Sequence, residues 1–390
     1  MKVPASGAVI GAEEKQAMHD AVEKGWLTAG PINTKFEREL SQFTGIKHVR
    51  TCNSGSSANL LAVGAMVESG IWRAGDEIIT TALAFPTTVN ALLVYGLVPV
   101  FVDVELGTYN TTNEIARSAD VCDGVMLAHT LGNPFDVSDL GIPEVEDCCD
   151  ALGSRAYSSH VGGDSHISTC SFFPAHHITT GEGGAVFSNN PSLIRHVESI
   201  RDWGRDCYCQ PGQNNTCGKR FEQQHGDLPY GYDHKYTFTH LGFNLKMNEI
   251  GAACGLAQMA KLPDFVAARK RNFAFLWARL EHLQDKLLLP VATEGSNPSW
   301  FGFPITIRET GIRDQMQRYL ADNGVDSRLL FAGNITKQPY MKGRKYRIAG
   351  SLENTDKVMH DSFWIGLHPA LTEEQLAYSA EMIGKFFGEF

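Results

Sequence analysis

The alternation of strand, helix and strand between residues 77 and 104 places the strongest constraint on the fold. The runs 77–81 and 98–104 are apolar enough to be buried strands, and the segment from about Pro86 to Tyr95 has the pattern of a helix. Strands joined through a helix lie parallel in one sheet, because the crossover returns the chain to the edge from which it started. The sequence therefore predicts an α/β protein with a mostly parallel central sheet.

The second part of the chain is dominated by long helices. Residues 248–282 show apolar side chains at helical spacing, with a break predicted at Pro263 and a solvated stretch from Arg269 to Arg271. We expect a large domain over residues 1–250 and a smaller C-terminal α/β domain over residues 251–390.

Composition limits the classes of partner. A formal charge of -10 over 390 residues disfavours nucleic acid, because a polyanion would be repelled. The start of the chain lacks the apolar core of a signal peptide, and no apolar run reaches the length of a membrane helix. We therefore expect a cytoplasmic protein without a membrane partner. In that reducing compartment the nine cysteines are expected to be buried thiols, catalytic groups or metal ligands instead of disulfides.

Two adjacent histidines stand in a glycine-rich loop after an apolar run. The run ends at Pro174, and His176 and His177 follow before the glycines of residues 181–184. Histidines in such a loop titrate near neutral pH and suit a cleft, whereas an ordinary surface turn would carry them without function. From the residues alone, both interpretations remain open.

The segment Ser-Phe-Phe-Pro-Ala-His from Ser171 to His176 resembles the cofactor loop of the DegT/DnrJ/EryC1/StrS family of sugar aminotransferases. These proteins have the fold type I of pyridoxal-phosphate enzymes, and the usual loop ends in a lysine that forms a Schiff base with the cofactor. In this chain His176 stands at the lysine position, as in the family's pyridoxamine-phosphate-dependent sugar 3-dehydratases. An imidazole cannot hold the cofactor covalently but can still move a proton. The resemblance implies a catalytic role for His176 and for Asp150, which replaces the usual Gln or His.

The same resemblance implies a set of cofactor-binding residues. Gly55 and Ser56 match the phosphate cradle, Phe85 the aromatic that stacks on the pyridine ring, and Asp147 the partner of the pyridinium nitrogen. Ser171 matches a hydroxyl that contacts the phosphate. Taken singly, these positions fit an ordinary turn, a packing aromatic or a helix cap equally well.

Two further features follow from the resemblance. Residues 242–248 are similar to the family segment whose asparagine reaches the phosphate in the neighbouring subunit, which implies a homodimer in which Asn244 completes the partner's site. Relatives have a longer connection before Glu144, so a trimmed sheet is expected there.

Four cysteines form a second constellation. Cys207, Cys209 and Cys217 lie in a polar loop, and 57 residues separate Cys149 from Cys207. Structural zinc, unrelated free thiols and a 2Fe-2S cluster are the three interpretations, and the chemistry alone supports zinc and iron-sulfur equally. The spacing is similar to the cluster motif of the ascarylose-type 3-dehydratases within the family. The resemblance therefore implies a 2Fe-2S cluster held by all four thiolates.

Together these likenesses imply an enzyme that removes the 3-hydroxyl of a nucleotide-activated 4-keto-6-deoxyhexose, most simply a CDP-linked one, for lipopolysaccharide biosynthesis. The cofactors would be pyridoxamine phosphate and the cluster, and a separate NAD(P)H-dependent iron-sulfur flavoprotein reductase would supply electrons. The alternatives are a cluster-free GDP-4-keto-6-deoxymannose 3-dehydratase recharged by glutamate, and a non-catalytic nucleotide-sugar-binding relative.

Overall fold

The computed structural model describes residues 1–388. In that part of the chain the α-helices are α1 (Ala12–Glu23), α2 (Pro31–Thr44), α3 (Gly55–Glu68), α4 (Pro86–Val94), α5 (Asn113–Arg117), α6 (Pro191–Arg201), α7 (Glu249–Met259), α8 (Leu262–Leu280), α9 (Arg313–Asp322), α10 (Glu353–Asp361) and α11 (Glu373–Phe386). The strands are β1 (His48–Cys52), β2 (Glu77–Thr81), β3 (Val98–Val102), β4 (Gly124–Ala128), β5 (Glu144–Asp147), β6 (Arg155–Ala156), β7 (Ser159–His160), β8 (Ile167–Ser171), β9 (Gly184–Ser188), β10 (Leu287–Leu288), β11 (Ser296–Asn297), β12 (Gly302–Ile307), β13 (Ser327–Arg328), β14 (Arg347–Ile348) and β15 (Ser362–Gly366).

The central sheet confirms the predicted α/β class. Its order is β1-β9-β8-β5-β4-β2-β3-β14. The pairs from β8 through β5, β4, β2 and β3 to β14 are parallel, while β9 pairs antiparallel with both β8 and β1. Parallel strands share one carboxyl edge, so the loops that follow them meet on one side of the sheet.

Short-range signals set the helices that flank this sheet. Ser54 caps α3 by accepting the Ser57 amide, and Pro86 opens α4, where its missing N–H is not needed. The residues of β3 are buried throughout, as expected for a parallel strand covered on both faces.

Whether the sheet has fewer strands here than in relatives stays a prediction, but the structure shows how the chain runs before Glu144. The connection holds only two short 3-10 turns, at Thr130–Gly132 and Ser138–Leu140, but β4 pairs directly with β5 from Val125 onward. The connection is short, and the sheet continues across it.

A second sheet, in the order β10-β12-β15-β13, packs with α8, α9 and α11 around a separate apolar core. The break between the two long helices is confirmed, since α7 ends at Met259 and α8 begins at Leu262. Elements of the two sequence halves interleave, because β14 joins the central sheet and β11 pairs with β6. The domain boundary after residue 250 remains a prediction.

The expected solvated position of Arg269 is wrong. Its side chain is fully buried, because it occupies the same face of α8 as Leu262, Phe265 and Leu276. The helical spacing that places these apolar residues toward the core places Arg269 there too.

Within residues 1–388, none of the helices combines the length and the apolar character needed to span a bilayer.

Candidate active site

A cavity of about 480 Å³ opens at the carboxyl edge of the central sheet. The loops after β1, β2, β5 and β8 supply its walls, as expected for a ligand site of an α/β fold. Eight residues singled out from the sequence line it, namely Gly55, Ser56, Phe85, Asp147, Cys149, Asp150, Ser171 and His176. Four segments distant in the sequence therefore converge on one site.

The start of α3 forms one wall, where it approaches the end of β8 very closely. A Cβ placed on Gly55 would lie 2.6 Å from Ser171 Cβ and 3.1 Å from Cys149 Sγ, so any side chain here would force Ser171 to move. Ser54 Oγ already satisfies the Ser57 amide at 3.0 Å, and the structure gives no intramolecular acceptor to the Gly55 and Ser56 amides within residues 1–388. Free amides at a helix N-terminus are suited to an anion such as phosphate.

Asp147 lies at the floor of the cavity and is held by three donors. Asn59 Nδ2 and Thr88 Oγ1 each donate to Oδ2 at 2.7 Å, and the Cys149 amide donates to Oδ1 at 3.1 Å. Thr169 in turn orients Asn59 by donating to its Oδ1 at 2.6 Å. A carboxylate that accepts several hydrogen bonds is stabilised in its charged form. The arrangement suits an anion that pairs with a protonated ring nitrogen.

His176 lies beside Asp150 in the cavity wall. Its Nδ1 is 3.2 Å from Asp150 Oδ1, which is an ion-pair distance, although the ring is not aligned for a hydrogen bond. The His176 ring packs against Phe301 with centroids 5.1 Å apart. Because Nδ1 is buried against the carboxylate, Nε2 is the nitrogen left to face the cavity.

The neighbouring His177 points away from the cavity. It is buried, and its Nε2 lies 2.9 Å from both the backbone oxygen and Oγ of Ser299. Burial, assisted by the positive charge of Arg269, holds the pKa of His177 well below its usual value. Of the two adjacent histidines, His176 therefore lines the cavity and His177 does not.

The cavity contains no lysine among its lining residues, all of which lie in the described part of the chain. Its one Lys or Arg side chain is that of Arg328, which was not identified from the sequence. Phe331 also lines the cavity and meets Phe85 edge to face at 6.4 Å. Phe85 itself is 51% exposed, so its ring is free to stack on a ligand.

Sequence reasoning missed the supports of this site. Asn59 and Thr88 hold Asp147 from two different helices, and Phe301 and Trp364 close the cavity from the C-terminal part. No local pattern marks these residues, because their role depends on contacts made across the fold. The pairing of β12 with β15, which brings Phe301 and Trp364 together, is such a contact.

Asn244 does not line the cavity of its own chain. It is exposed, and its backbone forms an isolated bridge with Asp202. Several large apolar side chains around it are also exposed, namely Trp203, Phe238 and Leu241. A surface of this composition is typical of a protein contact.

The three loop cysteines lie outside the cavity that Cys149 lines. Cys207 and Cys209 lie close to each other and line a smaller cavity of about 140 Å³ with several arginines. Backbone amides donate to the sulfurs of Cys209 and Cys217 at 3.4 Å, from Thr216 and Lys219 respectively. Burial works to raise the pKa of the Cys209 thiol, but the Thr216 hydrogen bonds outweigh it and lower that pKa. Donated hydrogen bonds of this kind stabilise thiolates.

The four sulfurs are not gathered into one compact set. Within residues 1–388, one group of possible metal ligands has its ligand atoms within 4.8 Å of one another. It consists of His129, Glu146 and Cys148 and contains none of the four predicted cysteines. That trio is explained by hydrogen bonding, because His129 Nε2 lies 2.6 Å from Glu146 and its Nδ1 accepts the Phe135 amide. The remaining cysteines, predicted to be packing residues, are buried, namely Cys52, Cys122, Cys148, Cys170 and Cys254.

Comparisons with known proteins agree with this geometry. The sequence profile of the DegT/DnrJ/EryC1/StrS aminotransferase family matches residues 8–383. Lipopolysaccharide biosynthesis protein RfbH of Salmonella typhimurium is 51% identical, over 99% of this chain and 92% of RfbH. The dTDP-4-dehydro-2,6-dideoxy-D-glucose 3-dehydratase of Saccharopolyspora spinosa is 46% identical, over 98% of this chain and 86% of its own length.

Among solved structures, E. coli GDP-4-keto-6-deoxy-D-mannose-3-dehydratase with bound hydrated PLP superposes with a TM-score of 0.88. The two are 25% identical, and the superposition covers 98% of this chain and 99% of the other. The expected fold of a PLP-dependent aminotransferase is thereby confirmed. Because the family profile spans nearly the whole sequence and the relatives align along most of their length, the chain belongs to the DegT/DnrJ/EryC1/StrS aminotransferase family.

Proposed function

We propose that the protein is a 3-dehydratase that removes the 3-hydroxyl of a nucleotide-activated 4-keto-6-deoxyhexose. The observation that carries the proposal is His176 in the cavity wall beside Asp150, in a cavity that no lysine lines. Transamination by the usual route needs a lysine that holds the cofactor and moves its proton. A histidine can only do the second. Two relatives in the comparison are named as 3-dehydratases of nucleotide-linked sugars, which supports the same chemistry here.

The residues of the cavity fit pyridoxamine phosphate. The Gly55 and Ser56 amides and the Ser171 hydroxyl would hold its phosphate, and Asp147 would pair with its ring nitrogen. Ser171 Oγ accepts the Phe173 amide at 3.3 Å, which leaves its own proton free to donate. When bound, the cofactor would supply an amine for the sugar ketone and a ring that accepts electrons.

His176 is the proposed acid-base group. Asp150 holds the ring from the Nδ1 side, so Nε2 can take a proton from the bound cofactor and return one to the departing 3-hydroxyl. The carboxylate also stabilises the imidazolium that forms when Nε2 takes the proton. The Asp147 network argues against a purely binding role, because a protein that only bound a nucleotide sugar would not need a pyridinium partner.

We further propose that Cys149, Cys207, Cys209 and Cys217 hold a 2Fe-2S cluster. Such a cluster takes two thiolates on each iron, so the four sulfurs must lie in two neighbouring pairs. The adjacent thiols of Cys207 and Cys209 supply one such pair, and the amides that donate to Cys209 and Cys217 fit thiolate ligands. The cluster would pass single electrons.

The overall reaction sets the remaining partners. Replacing C3–OH by C3–H releases water and consumes two electrons and two protons, which one NAD(P)H and one proton provide. We propose a separate NAD(P)H-dependent iron-sulfur flavoprotein as the donor, a CDP-linked sugar of the ascarylose type as the substrate, and the cytoplasm as the compartment. Exposed Asn244, with the apolar side chains around it, supports a homodimer in which each subunit completes the other's site.

The test is product analysis with anaerobically purified protein, a CDP-linked 4-keto-6-deoxyhexose, pyridoxamine phosphate, reductase and NADH. We expect a sugar that has lost one oxygen and gained no nitrogen, together with iron and the visible absorption of a 2Fe-2S centre. Cys209→Ser should lose the iron and the product. Cys254→Ser is the matched control, because its hydroxyl can still donate to Thr179 O, the present partner of Cys254 at 3.3 Å.

Other outcomes assign other functions. A 4-amino sugar would show an aminotransferase and refute the dehydratase. A 3-deoxy sugar formed with glutamate and without reductase, or zinc in place of iron, would refute the cluster and favour the glutamate-recharged enzyme. Tight binding of the nucleotide sugar without turnover would favour the non-catalytic relative.

A further inference from the structure

Arg269 is a buried cation that the proposed chemistry does not use. It lies in the middle of α8 and is fully buried, yet no carboxylate in residues 1–388 pairs with it, and the negative charge that influences it is that of Asp150. Burial lowers the pKa of Arg269 to about 10, so the guanidinium stays charged at neutral pH. Because a buried charge is unfavourable unless its hydrogen bonds are satisfied, the contacts of this side chain indicate its role.

Those contacts are backbone oxygens from two segments that form the cavity wall. Nη1 donates to Phe301 O at 2.8 Å and to Trp300 O at 3.3 Å. Nη2 donates to His176 O at 3.2 Å and to Ala175 O at 3.4 Å. The planar guanidinium therefore connects the His176 turn to the residues just before β12. A lysine has one amino group and could not bond to both segments in a fixed geometry.

The two tied segments carry rings that touch each other. His176 packs on Phe301 at 5.1 Å, and the Arg269 guanidinium lies 5.8 Å from the Phe301 ring centroid. The His176 turn belongs to no helix or strand, so its carbonyls receive no support from a regular backbone ladder. Without Arg269, the backbone oxygens of Ala175 and His176 would lose the donor that fixes them.

We propose that Arg269 is a positioning residue, which fixes the turn that carries His176 so that the imidazole keeps its place between Asp150 and the cavity. Arg269 does not line the cavity, and its hydrogen bonds go to the backbone of residues 175–176 and 300–301. The catalytic consequence rests on the proposed dehydratase function, whereas the structural consequence does not.

If Arg269 only stabilised the whole protein, its replacement would raise hydrogen exchange along the entire chain and not in the His176 turn alone. Replacing the buried guanidinium by an apolar side chain of similar length removes the cost of burying the charge, which offsets part of the loss of its four backbone hydrogen bonds. Arg269→Met should therefore fold, with its effect confined to the turn. Arg271→Met is the matched control, because Arg271 lies two residues further on the same helix and is exposed.

The experiment measures hydrogen exchange and steady-state kinetics in both variants. In Arg269→Met, exchange of the amides in residues 173–180 should rise about tenfold or more, while segments that Arg269 does not contact keep the parent rates. The kcat should fall by about 10²-fold, the effect of a small misplacement of a catalytic group, with KM near that of the parent. Arg271→Met should change neither quantity.

Three results would overturn the proposal. Unchanged exchange in residues 173–180 would show that Arg269 does not fix the turn. A uniform rise in exchange along the chain would show a general role in stability. An Arg269→Lys protein with the parent kcat would show that the positive charge suffices and that the planar guanidinium geometry is not required. If the parent itself proves inactive as a dehydratase, the local exchange result still decides whether Arg269 positions the turn.

Discussion

Gly55→Ala should weaken cofactor binding with little effect on folding. The new Cβ would stand 2.6 Å from Ser171 Cβ and 2.9 Å from Ser171 Oγ, which is about 1 Å closer than carbon atoms pack. Gly55 has no positive φ and begins α3, where alanine is preferred over glycine by about 1 kcal/mol. Overpacking costs about 1–3 kcal/mol, so the net loss of stability should be about 0–2 kcal/mol.

The effect on the cofactor should be larger, because the displaced atom is the hydroxyl that we assign to the phosphate. A hydrogen bond to a charged group contributes about 1.5–3 kcal/mol, which corresponds to a rise in Kd of roughly 10- to 150-fold. The assay is an absorbance titration of cofactor-free protein with pyridoxamine phosphate, supported by thermal unfolding. Gly251→Ala is the matched control, since Gly251 also lies in the first turn of a helix and its added Cβ meets nothing closer than 3.3 Å. A Gly55→Ala protein that binds the cofactor within twofold of the parent would refute the assigned cradle.

Three further results are expected. His176→Lys should gain a borohydride-trapped phosphopyridoxyl adduct on residue 176, detected by mass spectrometry, and lose dehydration; an adduct on any lysine of the parent would contradict non-covalent binding. Asp147→Asn should lower the free energy of unfolding in urea by about 1–3 kcal/mol, because its amide must oppose at least one of the three donors to Asp147; parent stability would contradict this. Burial lowers the pKa of His160 from 6.5 to about 4, and the unfolded chain therefore binds the proton first as the pH falls. The free energy of unfolding should therefore fall as the pH drops from 6.5 to 4, and His160 should account for about 2 kcal/mol of the loss at pH 5. In His160→Gln, the difference between the free energies of unfolding in urea at pH 7 and pH 5 should be smaller by that amount.

The parts of the fold that follow from local pattern were predictable. The strand–helix–strand alternation fixes a parallel sheet, and residues at the carboxyl ends of parallel strands must meet, which is why Gly55, Phe85, Asp147 and Ser171 share one cavity. The opposite directions of consecutive side chains in the loop distinguish His176 from its neighbour.

Other features depend on contacts that no local pattern encodes. Arg269 carries a charge that suggests solvent, but its place on the apolar face of α8 and the loose carbonyls of the His176 turn determine its burial. Asn59 and Thr88 look like ordinary helix residues until the fold brings them to Asp147.

The most direct measurement of the central claim is oxygen exchange at C3 of the substrate. The protein is loaded with pyridoxamine phosphate and given the CDP-linked 4-keto-6-deoxyhexose in ¹⁸O-labelled water, without reductase. The recovered sugar is reduced with borohydride and fragmented in the mass spectrometer, so that label at C3 is read separately from the label that the C4 ketone takes up from water in every sample. Reversible loss of the 3-hydroxyl places the label at C3. We expect label with the parent and with His177→Asn, and none with His176→Asn. Label with His176→Asn, or none with the parent, would contradict the assignment of His176 as the group that drives dehydration.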